Sequence, residues 1–327
     1  MEEVILAIDL GGTNVRIAAV NPQGRILDKL SFPTEALQGR ERVVENILLR
    51  IQGFLQRFPR GKFEVIGGGF GIPGAIVLDR GIVSQSPNLP GWEDFDIRSR
   101  LQKGLHMPIF IENDANAFSL GEGWLGAARG VKEFCCLTLG TGVGGGIVLN
   151  GDIWHGTEGK AGEIGHMVID VDGPPCQCGN RGCLETFASG RAIRRMAIEA
   201  IKGNEKTDLV ERCGGEIEAI TSKTIYESAS NGDRLSREVF QRMGMYLGAG
   251  LANLVNLLNV ELIVIGGRVS EAWNFFIEPA RGELEKRTLG SMGKGVRVER
   301  AKCGDDAGIL GAAYLVKRKL ERRKRRR

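Results

Sequence analysis

The chain opens with short apolar runs set between glycine turns. VILAIDL (4–10) and VRIAAV (15–20) are too short and too rich in β-branched residues for helices. GGTN separates them, and GRILDKLSF continues the meander. A helical period follows over about 40–57, then a buried strand in FEVIGGGF (63–70), a helix in DIRSRLQKGL (96–105) and a strand in PIFIEN (108–113). FCCLTLG (134–140), the turn TGVGGG and IVLNG (147–151) repeat the opening strand–glycine turn–strand about 130 residues later, which predicts a duplicated architecture. The second half reads as mostly helical, with LETFASGRAIRRMAIEAI (184–201) and a long helix near 234–258. GAGLANLVNLLNVELIVIGG (248–267) carries three Asn and a Glu, so it is read as a buried helix entering a buried strand, not a membrane span.

The pattern predicts an α/β protein, and 327 residues suffice for two domains with separate cores. No Ser/Pro-rich linker divides them. The expected boundary lies at a helix crossing near 114–125, giving a small α/β domain over 1–113 and a larger one over 114–305. A last helix, about 306–327, is expected to return to the first domain. The 48 glycines are about twice the usual share and imply many tight turns or close backbone approaches. The net charge of +4 misleads: the last eleven residues, KRKLERRKRRR, hold nine basic side chains and one Glu, leaving the rest at −4. A nucleic-acid groove needs basic residues through the body, so the tail is read as a solvated, frayed helix end. MEEVILAIDL is acidic and enters a strand at once, unlike a signal peptide. Seven cysteines, four of them scattered, point to a reducing, cytoplasmic setting.

Three glycine turns are candidate nucleotide contacts. DLGGTN (9–14) places a carboxylate at a strand end before two glycines and a threonine, so that bare N–H groups and a hydroxyl can face an anion. The same residues also suit an ordinary hairpin turn. GTGVGGG (140–146) sits at the equivalent place in the repeat, and two such turns facing each other would hold a nucleoside triphosphate between domains. VIGGRVS (264–270) ends a buried strand and supplies a weaker third pair. No G-x-x-x-x-G-K-[ST] is present, which excludes a P-loop.

FIENDANAFSLGEG (110–123) has a strand ending in Asn113 and Asp114, then a helix. An Asp fixed at such a junction suits the acceptor of a hydroxyl proton in phosphoryl transfer; it also suits a plain helix N-cap. GHMVIDVDGPPCQCGNRGCLE (165–185) contains Cys176, Cys178 and Cys183 within eight residues, with His166 ten residues before the first. Three thiolates and an imidazole make the closed tetrahedral set of structural zinc. The C-x-C-x₄-C spacing fits neither a C₂H₂ finger nor a C-x-x-C redox pair.

From DLGGTN through GIPG, SPNLPGW, ENDANA and GTGVGGG to GEIGH, CQCGNRGCLE and IGG, the chain resembles the ROK family (repressors, open reading frames and kinases) along nearly its whole length. The resemblance implies a two-domain sugar-kinase/actin/Hsp70-like (ribonuclease H-like) ATPase fold with a cleft between domains. It implies Asp114 as catalytic base, and Asn88, Asn113, Glu163, His166 and Glu185 as sugar contacts with Gly74 at their edge. Asp9, Gly11, Gly12, Thr13 and Asn14 match the first phosphate loop, Thr141 and Gly142 the second, and Gly266 and Gly267 the adenosine contact. Arg268 departs from the third glycine common there. ATP, Mg²⁺ (through water on Asp9) and structural Zn²⁺ are the implied cofactors, and a homo-oligomer the implied assembly. SPNLPGW resembles glucokinase-like members, so the expected activity is phosphorylation of the 6-hydroxyl of a hexose, glucose first, with N-acetylmannosamine, N-acetylglucosamine and other hexoses open. The family's repressors carry a winged helix-turn-helix before the first strand, for which a strand starting at residue 4 leaves no room.

Overall fold

A computed structural model describes residues 1–86 and 88–325 of the chain. Pro87 of SPNLPGW and residues 326–327 of the expected last helix lie outside the described residues. Strands β1 (Glu2–Leu10), β2 (Asn14–Val20) and β3 (Ile26–Pro33) form the antiparallel meander. β4 (Phe63–Ile72) adds in parallel to β1, and the strand Ile109–Asn113 in parallel to β4. β1 is apolar on both faces because both are covered. Val4, Leu6, Ile8 and Leu10 join the core under α1 (Arg40–Leu55) and α2 (Ile97–Leu105), while Ile5 and Ala7 meet Ala312, Ala313 and Val316 of the C-terminal helix Ala307–Arg325. A small antiparallel sheet of Ala75–Val77, Ile82–Gln85 and Phe95–Asp96 was not legible in the pattern, since each strand is shorter than one period test can read.

The second sheet contains Phe134–Leu139, Val143–Leu149, Asp152–Ile153, Leu262–Gly266 and Arg297–Arg300. Counted along the chain, its strands lie in the order third, second, first, fourth, fifth, the same as in the first sheet. The duplication read from the two glycine-turn openings is therefore real, and the repeated order is the ribonuclease H-like architecture.

The chain forms two compact units. The first comprises Met1–Lys132, Gly146–Gly162 and the chain from Ala301 on; the second comprises Glu133–Gly145 and Glu163–Arg300. This differs from a division at 113/114, because helix α3 (Asp114–Leu125) lies on the C-terminal helix and so belongs with the first sheet. The expected single helix over 184–201 is two, Glu185–Ala188 and Gly190–Lys202. Ser189 breaks it in extended backbone, and its hydroxyl oxygen accepts from Ala192 N–H at 3.2 Å, a serine N-cap overriding helical periodicity. The long helix runs over Arg234–Leu258 and packs against Trp273–Arg287.

The tail corrects part of another expectation. The last helix continues to Arg325, and four of its basic residues make contacts within the first unit, although residues 321–324 stay exposed as a solvated end would. Lys317 Nζ donates to Pro22 O at 2.9 Å, Arg318 and Arg322 both pair with Asp152, and Arg323 lies over the Phe110 ring at 5.2 Å. Among the described residues, no helix is long and apolar enough to cross a membrane.

Candidate active site and metal centre

In the first unit, the turn between β1 and β2 is closed by Gly11 N–H donating to Asn14 O at 2.9 Å. Thr34 pins it from outside, its hydroxyl donating to Gly11 O at 2.6 Å and its N–H to Thr13 O at 2.8 Å. A Cβ on Gly12 would stand 3.1 Å from Asn88 Cβ, so the expected phosphate loop and an expected sugar contact touch. Leu89 and Trp92 of SPNLPGW are fully buried, which anchors the segment and leaves Asn88 exposed. Asp9, at the end of β1, faces Arg16 at 3.5 Å and lies beside Gly308 in the first turn of the C-terminal helix. Burial pushes its carboxyl above the usual aspartate range; Arg16 opposes the shift and Asp305 adds to it. The side chain remains 21% exposed, so an ion can still reach it.

Asn113 is indeed the N-cap of α3, its Oδ1 accepting from Ala115 N–H at 2.9 Å and Asn116 N–H at 3.1 Å. Capping does not exhaust it. Nδ2 donates one hydrogen to Gly74 O at 3.0 Å, and the second hydrogen on Nδ2 is available to a ligand. The capping and binding readings are thus compatible. Asp114 follows as the first residue of α3, with Oδ1 accepting from Ala115 N–H at 2.9 Å. The helix N-terminus favours negative charge at that position. In the sheet register Asp9 pairs with Gly71, and Gly71 with Glu112, so Asp9 and Asp114 occupy the same end of the first sheet.

In the second unit the loop Gly140–Thr141–Gly142 is held from three sides. Gly190 N–H donates to Gly140 O at 2.8 Å, Arg191 Nε to Thr141 O at 3.0 Å, and Val143 N–H to Glu185 Oε2 at 2.9 Å. The Glu185 carboxylate lies so close over Gly142 that any side chain there would collide with it. Arg191 completes the set at 2.9 Å from Glu185 Oε1. Glu185 was expected only as a sugar contact, and its grip on the Gly140–Gly142 turn, with Arg191 as accessory, was missed. Glu163 precedes the short turn Ile164–His166, and His166 N–H donates to Glu163 O at 3.0 Å. Burial pushes the Glu163 carboxyl up, His166 opposes this and Glu185 adds to it, so the three expected sugar contacts share one electrostatic neighbourhood.

The four metal candidates are brought together. The loop 175–183 doubles back through bridges between Val168 and Cys183 and between Pro175 and Arg181, with Cys176 N–H donating to Asn180 O at 2.7 Å. The ligand atoms of His166, Cys176, Cys178 and Cys183 all lie within 4.8 Å of one another. Cys178 Sγ is 3.8 Å from Cys183 Sγ, and Cys176 Sγ is 3.7 Å from His166 Nδ1. A tetrahedral zinc with Zn–S bonds of about 2.3 Å requires edges of about 3.8 Å, so the donors fit. Nδ1 is the ring nitrogen on the cysteine side, which leaves Nε2 for another partner. Asn180 N–H holds the Cys178 thiol below its usual range, whereas burial pushes Cys176 up and Cys183 up to about 12. Gly266 ends the strand beside Thr138; Gly267, the next residue, at φ 83°, packs onto the Leu139 backbone, which gives it a structural duty whatever it binds.

Comparison with known proteins agrees with this geometry. The chain matches the ROK family over residues 5–319. It is 39% identical to a glucokinase of Halalkalibacterium halodurans over 316 residues, 95% of this chain and 94% of that protein. It is 31% identical to a putative xylose repressor of Caldicellulosiruptor sp. over 96% of this chain and 78% of that one. A crystal structure of a ROK family glucokinase from Streptomyces griseus in complex with glucose and AMPPNP superposes with a TM-score of 0.83 at 32% identity, covering 95% of this chain and 98% of that chain. With the duplicated ribonuclease H-like sheets, the Asn113–Asp114 junction and the His/Cys cluster in place, the chain belongs to the ROK family.

Proposed function

We propose that the chain is an ATP-dependent hexose kinase that phosphorylates the 6-hydroxyl of glucose. The observation that carries the reading is Asp114, fixed at a strand–helix junction whose preceding Asn113 is locked by its own cap and by Gly74. In the proposed reaction the sugar O6 attacks the γ-phosphorus, the new O–P bond forms, and the bond from that phosphorus to the β–γ bridging oxygen breaks. The hydroxyl proton passes to the Asp114 carboxylate, and ADP leaves with the electron pair. A positioned base of this kind contributes about 10²–10⁴ in rate.

The first unit contributes Asp114, Asn113, Gly74 and Asn88 to sugar recognition, with Asp9, Gly11, Gly12, Thr13 and Asn14 for phosphate and the hydrated Mg²⁺ on Asp9. The second contributes Glu163, His166 and Glu185 for the sugar, Thr141 and Gly142 for phosphate, and Gly266 and Gly267 near the adenosine. Mg²⁺, when bound, neutralises charge on the transferring phosphoryl group. Structural zinc is assigned to His166, Cys176, Cys178 and Cys183, whose spacing suits a closed tetrahedral site. There it braces the wall that runs from Glu163 to Glu185. The likeness to a putative xylose repressor supports a second reading, a sugar-responsive regulator of transcription.

The experiment is ADP release from MgATP across a panel of hexoses and N-acetylhexosamines. Glucose should give the largest stimulation. A flat response across the panel would remove the kinase reading, and a larger response to an N-acetylhexosamine would reassign the substrate. The same preparation, run on a calibrated sizing column, tests the expected homo-oligomer.

A further inference from the structure

Glu112 is a carboxylate that neither the expected sugar contacts nor the expected phosphate loops use. It is 3% exposed, on the strand that ends at Asn113, and it points away from the face that carries Asn113. Burying such a group is costly unless it is fully hydrogen-bonded, and here it is. Oε1 accepts from Asn113 N–H at 3.0 Å and from Asn116 Nδ2 at 3.0 Å. Oε2 lies 2.8 Å from His155 Nε2 and accepts its hydrogen. Asn116 is 2% exposed, and its Oδ1 has no hydrogen-bond partner among the described residues, so the bond to Glu112 is what orients that side chain.

These bonds have a specific placement. Asn113 precedes Asp114 by one residue and Asn116 follows it by two, so one buried oxygen grips the backbone before the base and a side chain after it. The second oxygen ties this junction to His155, whose own carbonyl accepts from Ala161 N–H at 3.1 Å. His155 therefore fixes both the base-bearing junction and the segment that leads on in sequence to Glu163.

We propose that Glu112, held by His155, is the positioning residue for Asp114: it sets where the first turn of α3 starts and hence where the base's carboxylate stands. The inference rests on the kinase reading for its catalytic consequence, but its structural half is measurable without turnover. Three variants separate the cases. Glu112→Gln keeps a carbonyl oxygen for Asn113 N–H and Asn116 Nδ2, and its amide N–H donates to His155 Nε2 once the ring carries its hydrogen on Nδ1, so kcat should stay within threefold. Glu112→Leu removes every bond at similar volume, and His155→Ala removes one. Each should lower kcat at least tenfold while the glucose KM moves less than threefold. Amide hydrogen exchange at 113–118 should rise at least tenfold in Glu112→Leu, with exchange over 134–139 unchanged.

If wild-type protein shows no sugar-dependent ADP formation, the kinase reading fails, and the exchange measurement still decides the positioning role. Unchanged exchange at 113–118 in Glu112→Leu overturns it. So does a KM effect without a kcat effect, or a Glu112→Gln variant as slow as Glu112→Leu. Should Glu112→Leu not fold, His155→Ala with wild-type kcat and exchange overturns the proposal equally.

Discussion

The Glu185 carboxylate accepts the backbone N–H of Val143 at 2.9 Å, so a residue expected to bind sugar also holds the glycine turn proposed as the second phosphate loop. A hydrogen bond to a charged group is worth about 1.5–3 kcal/mol, or roughly 10- to 100-fold. Glu185→Ala should therefore raise the KM for ATP as well as for glucose, each by about tenfold or more. Glu185→Gln, which keeps an acceptor for Val143, should affect ATP far less. Steady-state kinetics with each substrate varied in turn checks this, and a change confined to glucose would break the link.

Asp114→Asn removes the proton acceptor yet keeps the size of the side chain and an oxygen for Ala115 N–H. Turnover should fall by about 10²–10⁴, while glucose binding measured by calorimetry should stay within a few-fold of wild type. Retained turnover would exclude Asp114 as base.

Much of this was legible along the chain because it is written in local pattern. β1 reads as continuous apolar residues since both its faces are buried, and the three cysteines lie within one short loop. What was missed depends on pairs far apart in sequence. Glu112 and His155 are 43 residues apart, and Glu185 and Val143 are 42 apart. No spacing rule connects such residues before the sheets and loops exist. The docking of Arg318 and Arg322 was missed for the same reason: their partner Asp152 lies about 170 residues upstream.

Gly311 in the C-terminal helix and Gly121 in α3 mark a close crossing. A Cβ on Gly311 would overlap the Ala117 carbonyl, and one on Gly121 the Ala307 carbonyl. Backbone cannot move aside as a side chain can, so Gly311→Ala should cost at least about 2 kcal/mol by overpacking, despite alanine's better helix propensity. Urea unfolding measures it. A neutral or stabilising result would show that the helices lie further apart.

Zinc should be found at one equivalent per chain by elemental analysis. Structural zinc contributes roughly 10–16 kcal/mol in finger peptides, comparable with the whole stability of a domain. Chelation or Cys183→Ser should lower the melting temperature, open residues 163–185 to proteolysis, and raise the glucose KM, since His166 belongs to the cluster and Glu185 lies two residues past Cys183. Metal binding must also displace thiol protons, with Cys183 held up to about 12 without metal, so zinc uptake should weaken as pH falls. Melting and proteolysis unchanged after verified metal removal would reject the site.

Asp9 sets opposite demands on stability and activity. Burial raises its carboxyl above the usual aspartate range, so the folded protein holds that proton more tightly than the unfolded chain does. The contribution favours folding at low pH and is lost as pH rises through the folded-state value. Asp9→Asn cannot ionise and escapes this loss. Its melting temperature should match wild type below the ordinary aspartate range, exceed it increasingly as pH rises to the raised folded-state value, and keep a constant lead above that. Its turnover should meanwhile collapse, because the proposed hold on hydrated Mg²⁺ needs the charge. In wild type the same shift places the acid limb of activity above the ordinary aspartate range, with added Mg²⁺ moving it lower. Melting curves across pH for the two proteins, beside Mg²⁺ titrations of wild-type rate, check both halves. A melting difference that stays flat with pH would mean that Asp9 carries no such burial penalty.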